Sequence, residues 1–166
     1  MVLLLLLGGV LGACGYRVAS KQRLAPPIRS IAVRPLENET TTYQVEQILT
    51  RALVRELVKR SGLTVSGSED EAEAVLSGRV LRVVASPVTF RQSAFATTFL
   101  VTVEAAVEIR ERQTNRILFR QDHLVFQERY IINTEVEDFF SEVNPALERL
   151  GRDFAESVVT SWLEDF

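Results

Sequence analysis

The sequence predicts a domain of the α/β (α+β) class, in which two amphipathic helices pack against β-strands. Three stretches carry this reading. Phe99, Val101, Val103, Ala105, Val107 and Ile109 alternate with Thr98, Thr102, Glu104, Glu108 and Arg110, the period of a strand with one buried and one wet face. Between about residues 42 and 61, Val45, Ile48, Leu49, Ala52, Leu53 and Leu57 recur at helical spacing. Near the C-terminus, Leu147, Leu150, Phe154, Val158 and Trp162 do the same, so each helix has one apolar stripe to bury.

The chain opens on an apolar run, Met1 to Val10, followed by Leu11-Gly12-Ala13-Cys14 and then by polar residues such as Arg17, Ser20, Lys21 and Arg23. An apolar segment, small residues and a polar continuation form the layout of an export signal. Even with Leu11 to Cys14 included, the run is too short for a membrane span: residues 1–14 reach about 21 Å as a helix, against a hydrocarbon core of ~30 Å. Leu-Gly-Ala-Cys resembles the bacterial lipobox. That resemblance implies cleavage before Cys14 and acylation of its thiol, making residues 1–13 a lipoprotein signal peptide. No Lys or Arg precedes Arg17, so the usual basic start of such a signal is missing, which points to a true start upstream. Gly15 follows the cysteine, where an Asp commonly retains lipoproteins at the inner membrane; the expected destination is the outer membrane, facing the periplasm. Residues 14–29, with Pro26 and Pro27, read as an extended tether, leaving 30–166 as a single domain.

The chain carries 22 acidic and 19 basic residues, for a net charge of −3. Nucleic-acid binders usually show a basic excess, so no nucleic-acid partner is expected. Cys14 is the single cysteine, so there is no disulfide framework and the fold stands on its core.

Within the domain, Ile31 to Leu36 reads as a strand that Pro35 confines to an edge or ends. Glu37-Asn38-Glu39-Thr40 reads as a polar turn; its match to a glycosylation sequon is taken as chance. The helix of residues 42–61 gathers Arg51, Arg55, Lys59 and Arg60 in its second half, where cations complement the helix dipole, and Gly62 stops it. Leu63-Thr64-Val65 is a short strand. The acidic stretch from Gly67 to Glu73 lacks the glycine and terminal glutamate of a calcium loop and reads as a solvated turn. A long strand from Val75 to Phe90 is expected to break at Gly78, carry a bulge and end near Pro87. After a loop at 91–96, the alternating strand turns at Gln113-Thr114-Asn115 into a second, Arg116 to about Tyr130, forming an antiparallel hairpin. Residues 131–143 read as a linking loop with an acidic cluster, Glu135, Glu137, Asp138 and Glu142, interleaved with Phe139 and Phe140. Asn144 would then cap the last helix, with Pro145 in its first position. Phe166 ends the chain as in outer-membrane barrels, but the last element here reads helical.

Catalytic chemistry is not visible. His123 is the single histidine, too little for a Ser/His/Asp set. No metal-ligand cluster and no Gly-rich phosphate loop can be found, so neither enzyme activity nor a cofactor is expected.

A lipobox followed by Gly15-Tyr16-Arg17, the stretch Ser30 to Asn38, the helix containing Leu49 to Leu57, the segment Glu73 to Val80, the Phe99–Ile109 hairpin and a closing helix together resemble the LPS-assembly lipoprotein family, LptE, over nearly the whole mature chain. The resemblance implies two helices packed on one face of a mixed, mostly antiparallel sheet of about four strands. It also implies an outer-membrane lipoprotein that sits inside an LptD-like barrel, helps assemble it, and assists lipopolysaccharide transport to the cell surface. An auxiliary lipoprotein of an ABC-type lipid transporter and a periplasmic lipid carrier are the competing readings. For lipopolysaccharide itself, the hairpin tip offers Arg110, Arg112, Arg116 and Arg120, whose planar guanidinium forks suit headgroup phosphates and carboxylates. The competing reading of the tip is a solvated turn whose arginines pair with Glu108, Glu111 and Asp122.

Overall fold

The structure is a computed structural model that describes residues 28–90, 96–131 and 136–165. The expected signal peptide, Cys14, most of the tether, the 91–95 loop and Phe166 lie outside the described residues, as do the side chains of the acidic cluster 135–142.

The elements run β1 (Ser30–Val33), β2 (Glu37–Asn38), α1 (Val45–Arg60), β3 (Thr64–Ser66), β4 (Ala74–Phe90), β5 (Ala96–Glu111), β6 (Ile117–Ile131) and α2 (Val136–Asp165). The strands form one mixed sheet in the order β3-β1-β4-β5-β6, with β2 also paired to β4. Pairing is parallel between β1 and both β3 and β4, and between β2 and β4; β4, β5 and β6 form a long antiparallel meander. Two helices on a mixed, mostly antiparallel sheet is the architecture anticipated above, with six strands among the described residues in place of about four. The additional strands are short: Glu37–Asn38, read as a turn, adds two residues beside Arg79 and Val80.

Period-two patterning sets the layers. Val101, Val103, Ala105, Val107 and Ile109 of β5 are all buried, and so are Ala74, Leu76 and Val80 of β4. Their face receives both helices. The six apolar residues of α1 expected to form its stripe are its buried residues, and Leu147, Leu150, Phe154, Val158 and Trp162 of α2 join them in one continuous core. Burial of a large apolar side chain contributes about 1.5–3 kcal/mol, so this shared layer dominates the stability of the domain. The opposite sheet face carries no α-helix among the described residues; a single helical turn, Glu69–Glu71, lies beside β1 and brings Glu69 to Arg34.

Proline and glycine act differently from expectation at several points. Pro35 ends β1, which lies inside the sheet between β3 and β4 and not at an edge. Gly78 does not break β4; it permits close approach of the neighbouring backbone, and the register shifts fall beyond it, between Val80 and Arg82 and again between Pro87 and Phe90. β4 also runs through Pro87 to Phe90. Among the described residues it pairs beyond Val80 only with β5, and a strand unpaired on one side tolerates a residue without an N–H.

The last helix begins at Val136, so residues 136–143 are helical and not part of a loop, and Pro145 lies inside the helix with Asn144 exposed, not capping. An interior proline costs about 3 kcal/mol through its missing donor and ring clash. Ala146, Leu147 and Leu150, all buried immediately after it, offset that cost. At the start of α1, Asn38 organises the turn: its Nδ2 donates to Thr42 O (2.9 Å) and Glu46 Oε2 (2.8 Å), while Thr40 N donates to its Oδ1 (2.9 Å). Gln44 there adopts φ 60°, and Gly62, at φ 66°, follows the other end of the helix, a backbone region that glycine enters without strain.

Candidate functional site: the open face of the sheet

On the face away from the helices, alternation places Ser77 and Arg79 of β4, Glu108 and Arg110 of β5, and Arg120 of β6 side by side. The residue just after β1, Arg34, adds to them through the parallel pairing of β1 with β4. These side chains form an ion-pair lattice. Arg34 grips Glu69 with two bonds, Nε to Oε1 at 2.9 Å and Nη2 to Oε2 at 2.6 Å. Arg79 Nη1 lies 2.7 Å from Glu39 Oε1, and Arg82 Nη1 lies 3.6 Å from Glu104 Oε1. Glu108 is shared: Arg110 binds it through Nε and through Nη2 (2.9 Å), and Arg120 Nη1 approaches at 3.8 Å. Arg120 also donates through Nε to Asp122 (2.7 Å).

The pairing shows in the acid strengths. The hydrogen bond from Arg34 holds the Glu69 carboxyl below its ordinary range. In return, the bond to Glu69 holds Arg34 charged to still higher pH, and the bond to Asp122 does the same for Arg120. A shallow groove of about 200 Å³ runs between these residues, with Arg34, Glu37, Ser77, Arg79, Glu108 and Arg120 along it. Such a surface can exchange its internal carboxylates for the phosphates or carboxylates of a ligand. It presents no activated nucleophile; His123 is exposed on β6, and no cluster of possible metal ligands occurs among the described residues.

The four arginines of the hairpin tip are only partly brought together. Arg110 and Arg120 meet at Glu108. Arg116 lies at the turn, with its Nε 3.5 Å from Glu111. Arg112 leaves the group: its backbone N–H donates to Glu73 O and its Nε to Ala72 O, both at 2.8 Å. The tip therefore does not project freely beyond the sheet but is clamped to the segment preceding β4. Arg34 and Arg79 belong to the lattice and were absent from the sequence expectation. The parity of Arg79 against buried Leu76 and Val80 could have placed it on the wet face, whereas the Arg34–Glu69 pair joins positions 35 apart and has no local signal.

The family model described as LptE, lipopolysaccharide-assembly, matches residues 28–161, nearly all of the domain. No curated protein matches the chain in sequence. Solved structures share the fold at low identity. A hypothetical protein from Chlamydia trachomatis is 9% identical with a TM-score of 0.56, covering 81% of this chain and 95% of that one. Rare lipoprotein B from Shewanella oneidensis is 9% identical with a TM-score of 0.53, covering 81% and 94%. An uncharacterized lipoprotein B from Nitrosomonas europaea is 10% identical with a TM-score of 0.53, covering 80% of each chain. Likeness at these identities establishes the fold they share with this chain.

Proposed function

The chain belongs to the LptE lipopolysaccharide-assembly family, and we propose that it acts as an outer-membrane lipoprotein, acylated at Cys14 and facing the periplasm, which helps assemble an LptD-like barrel and assists lipopolysaccharide transport to the cell surface. The observation that carries this is the extent of the family match, which takes in every strand, all of α1 and α2 up to its last turn. The lipobox at Leu11–Cys14 supports the anchor, with residues 1–13 as signal and 14–29 as tether. The core supports a barrel-associated role over a lipid carrier: apolar side chains from both helices and the sheet pack into one cluster between the layers, and the described grooves on the open face are lined mainly by charged side chains. A carrier needs an apolar pocket. The role is non-catalytic. Arg110, Arg116 and Arg120, with Arg112 at the clamped edge of the tip, are the proposed lipopolysaccharide contacts.

The decisive experiment is purification from outer membranes through a tag on this chain. A large barrel protein should co-purify, and fractionation should place the protein with outer-membrane markers. Cys14→Ala should leave the protein unprocessed or without acyl chains. Recovery of the wild type mainly in the inner membrane, with a transporter complex, would sink this reading in favour of the ABC-type auxiliary lipoprotein.

A further inference from the structure

The basic residues of α1 take no part in the lattice on the open sheet face. We propose that, before the chain joins a barrel, the outward face of α1 docks on an anionic phospholipid bilayer, laying the domain against the membrane that holds its anchor; the orientation rests on acylation of Cys14, while the attraction does not.

Arg51, Arg55 and Lys59 stand at successive i, i+4 positions and are exposed. Val54, half-buried, and Val58, 63% exposed, lie between them. The acidic residues of α1 point elsewhere: Glu46 bonds to Asn38, and Glu56, only 14% exposed, pairs with Arg60 and more loosely with Lys59 at 3.9 Å. No described carboxylate pairs with Arg51 or Arg55. On the open sheet face, by contrast, Arg34, Arg79, Arg110 and Arg120 each have a carboxylate partner. Among the described residues, the exposed face of α2 carries Glu148, Asp153 and Glu164 against Arg152, with Glu156 paired to Arg60 of α1 at 2.6 Å. An anionic surface would thus attract one helix and repel the other.

The position of the tether agrees with this orientation. Thr64 N donates to Arg29 O at 3.0 Å, and Ser30 registers with Thr64 in the β1–β3 pair. The described chain therefore begins beside the segment that leaves the C-terminal turn of α1, the turn that carries Lys59. The stretch between Cys14 and Ile28 spans at most roughly 50 Å fully extended, so an acylated Cys14 holds this end of the domain within that distance of the bilayer. Exposed Val58, flanked by cations, suits the headgroup boundary, where apolar side chains insert and Lys or Arg stay with the phosphates.

The test uses the mature chain, residues 14–166, with Cys14→Ser, so that no acyl chain contributes and the whole described core is retained. Its sedimentation is measured with vesicles of phosphatidylcholine alone and of phosphatidylcholine mixed with phosphatidylglycerol. Binding is expected with the mixed vesicles only, and salt should abolish it. Each cation near an anionic surface is worth about fivefold in partitioning, so the triple variant Arg51→Gln, Arg55→Gln, Lys59→Gln should bind on the order of a hundredfold more weakly. These exposed substitutions keep strong helix formers in place, and circular dichroism should be unchanged. The pair Arg129→Gln, Arg152→Gln, exposed cations outside α1 and outside the groove, should bind like the parent. Equal sedimentation of parent and triple variant, or equal binding to neutral vesicles, overturns the proposal. So does salt-sensitive self-association without vesicles that the triple variant lacks, since the face would then join copies of this chain. Mass measurement of the protein from cells tests the anchor separately: an unacylated Cys14 beside intact vesicle binding removes the anchor and leaves the docking face.

Discussion

Gly78 in β4 and Leu36 in the β1–β2 connection are packed so closely that a Cβ on Gly78 would lie 2.9 Å from Leu36 Cδ2, and closer still to the carbonyl oxygen of Ala106. Leu36 is held there by its own N–H, which donates to Thr50 Oγ1 of α1 at 3.0 Å. The contact thus fastens the first helix to the middle of the sheet. Because one neighbour is backbone, the clash cannot be relieved by turning a side chain. Gly78→Ala should lower the unfolding free energy by about 2 kcal/mol, within the range for overpacking. Gly67→Ala should be close to neutral, since nothing lies within 4 Å of its added Cβ. Denaturant midpoints of the two variants check this.

The register of β5 is open to a sharper test. Val103 is 1% exposed and sits opposite Val83 on one side and Phe126 on the other. Thr102, one position along, faces the open side and accepts a bond from Gln127 Nε2 at 3.1 Å. Val103→Asp buries an unpaired charge and should cost several kcal/mol, whereas Thr102→Asp should cost about 1 kcal/mol or less. Equal melting shifts for the two would contradict the side-chain alternation.

Tyr130 gives the domain an alkaline weakness. Its ring is buried and stacks on Phe99 with centroids 5.5 Å apart, while its hydroxyl finds no described hydrogen-bond partner. Burial pushes the phenol pKa above its ordinary value. A raised folded-state pKa means that stability is intact below the unfolded value of about 10 and declines as pH rises through that value toward the folded one. Tyr130→Phe removes the unsatisfied hydroxyl and should stabilise the domain by about 1 kcal/mol. The melting temperature of the wild type should fall more steeply above pH ~10 than that of the variant.

Sequence patterning reached the layers of this fold and stopped where distant pairing begins. The stripe of α1 and the alternation of β5 are local periodicities, so Val45, Leu49, Leu53, Val103 and Ile109 could be placed in the core before any coordinates. The start of α2 was misplaced because Pro145 follows a capping type of residue, and a local rule cannot weigh the burial of Ala146 and Leu147 that supports an interior proline. The parallel pairing of β1 with β3 and β4 is set by packing between distant segments, which leaves no mark in either strand. The same limit governs the open face. The arginines of the tip were visible as composition, but the return of Arg112 to Ala72 follows from Ala74 pairing with Glu111, and the meeting of Arg110 and Arg120 at Glu108 follows from the register of β5 on β6.

The proposed lipopolysaccharide contact can be tested without loosening that clamp. Arg112 is unsuitable, because its Nε bond to Ala72 holds the tip. Arg116 and Arg120 are better probes: their side chains are 50% and 51% exposed, and their partners, Glu111, Asp122 and Glu108, are carboxylates at the surface or its margin. The exposed Arg120–Asp122 pair contributes about 0–1 kcal/mol, and Glu111 and Glu108 lie at 3.5 and 3.8 Å, so a phosphate-bearing headgroup can displace these contacts at little cost. Arg116→Glu with Arg120→Glu places new anions beside existing ones and should weaken binding of lipopolysaccharide to the purified protein by about tenfold or more, as loss of charge-assisted bonds predicts. Raising the salt should narrow the difference, because the wild-type attraction is screened. Circular dichroism and barrel co-purification should not change, since neither residue belongs to the core. If the folded double variant binds lipopolysaccharide at low salt as the wild type does, the arginines of the tip are a solvated, self-paired turn and the headgroup is held elsewhere.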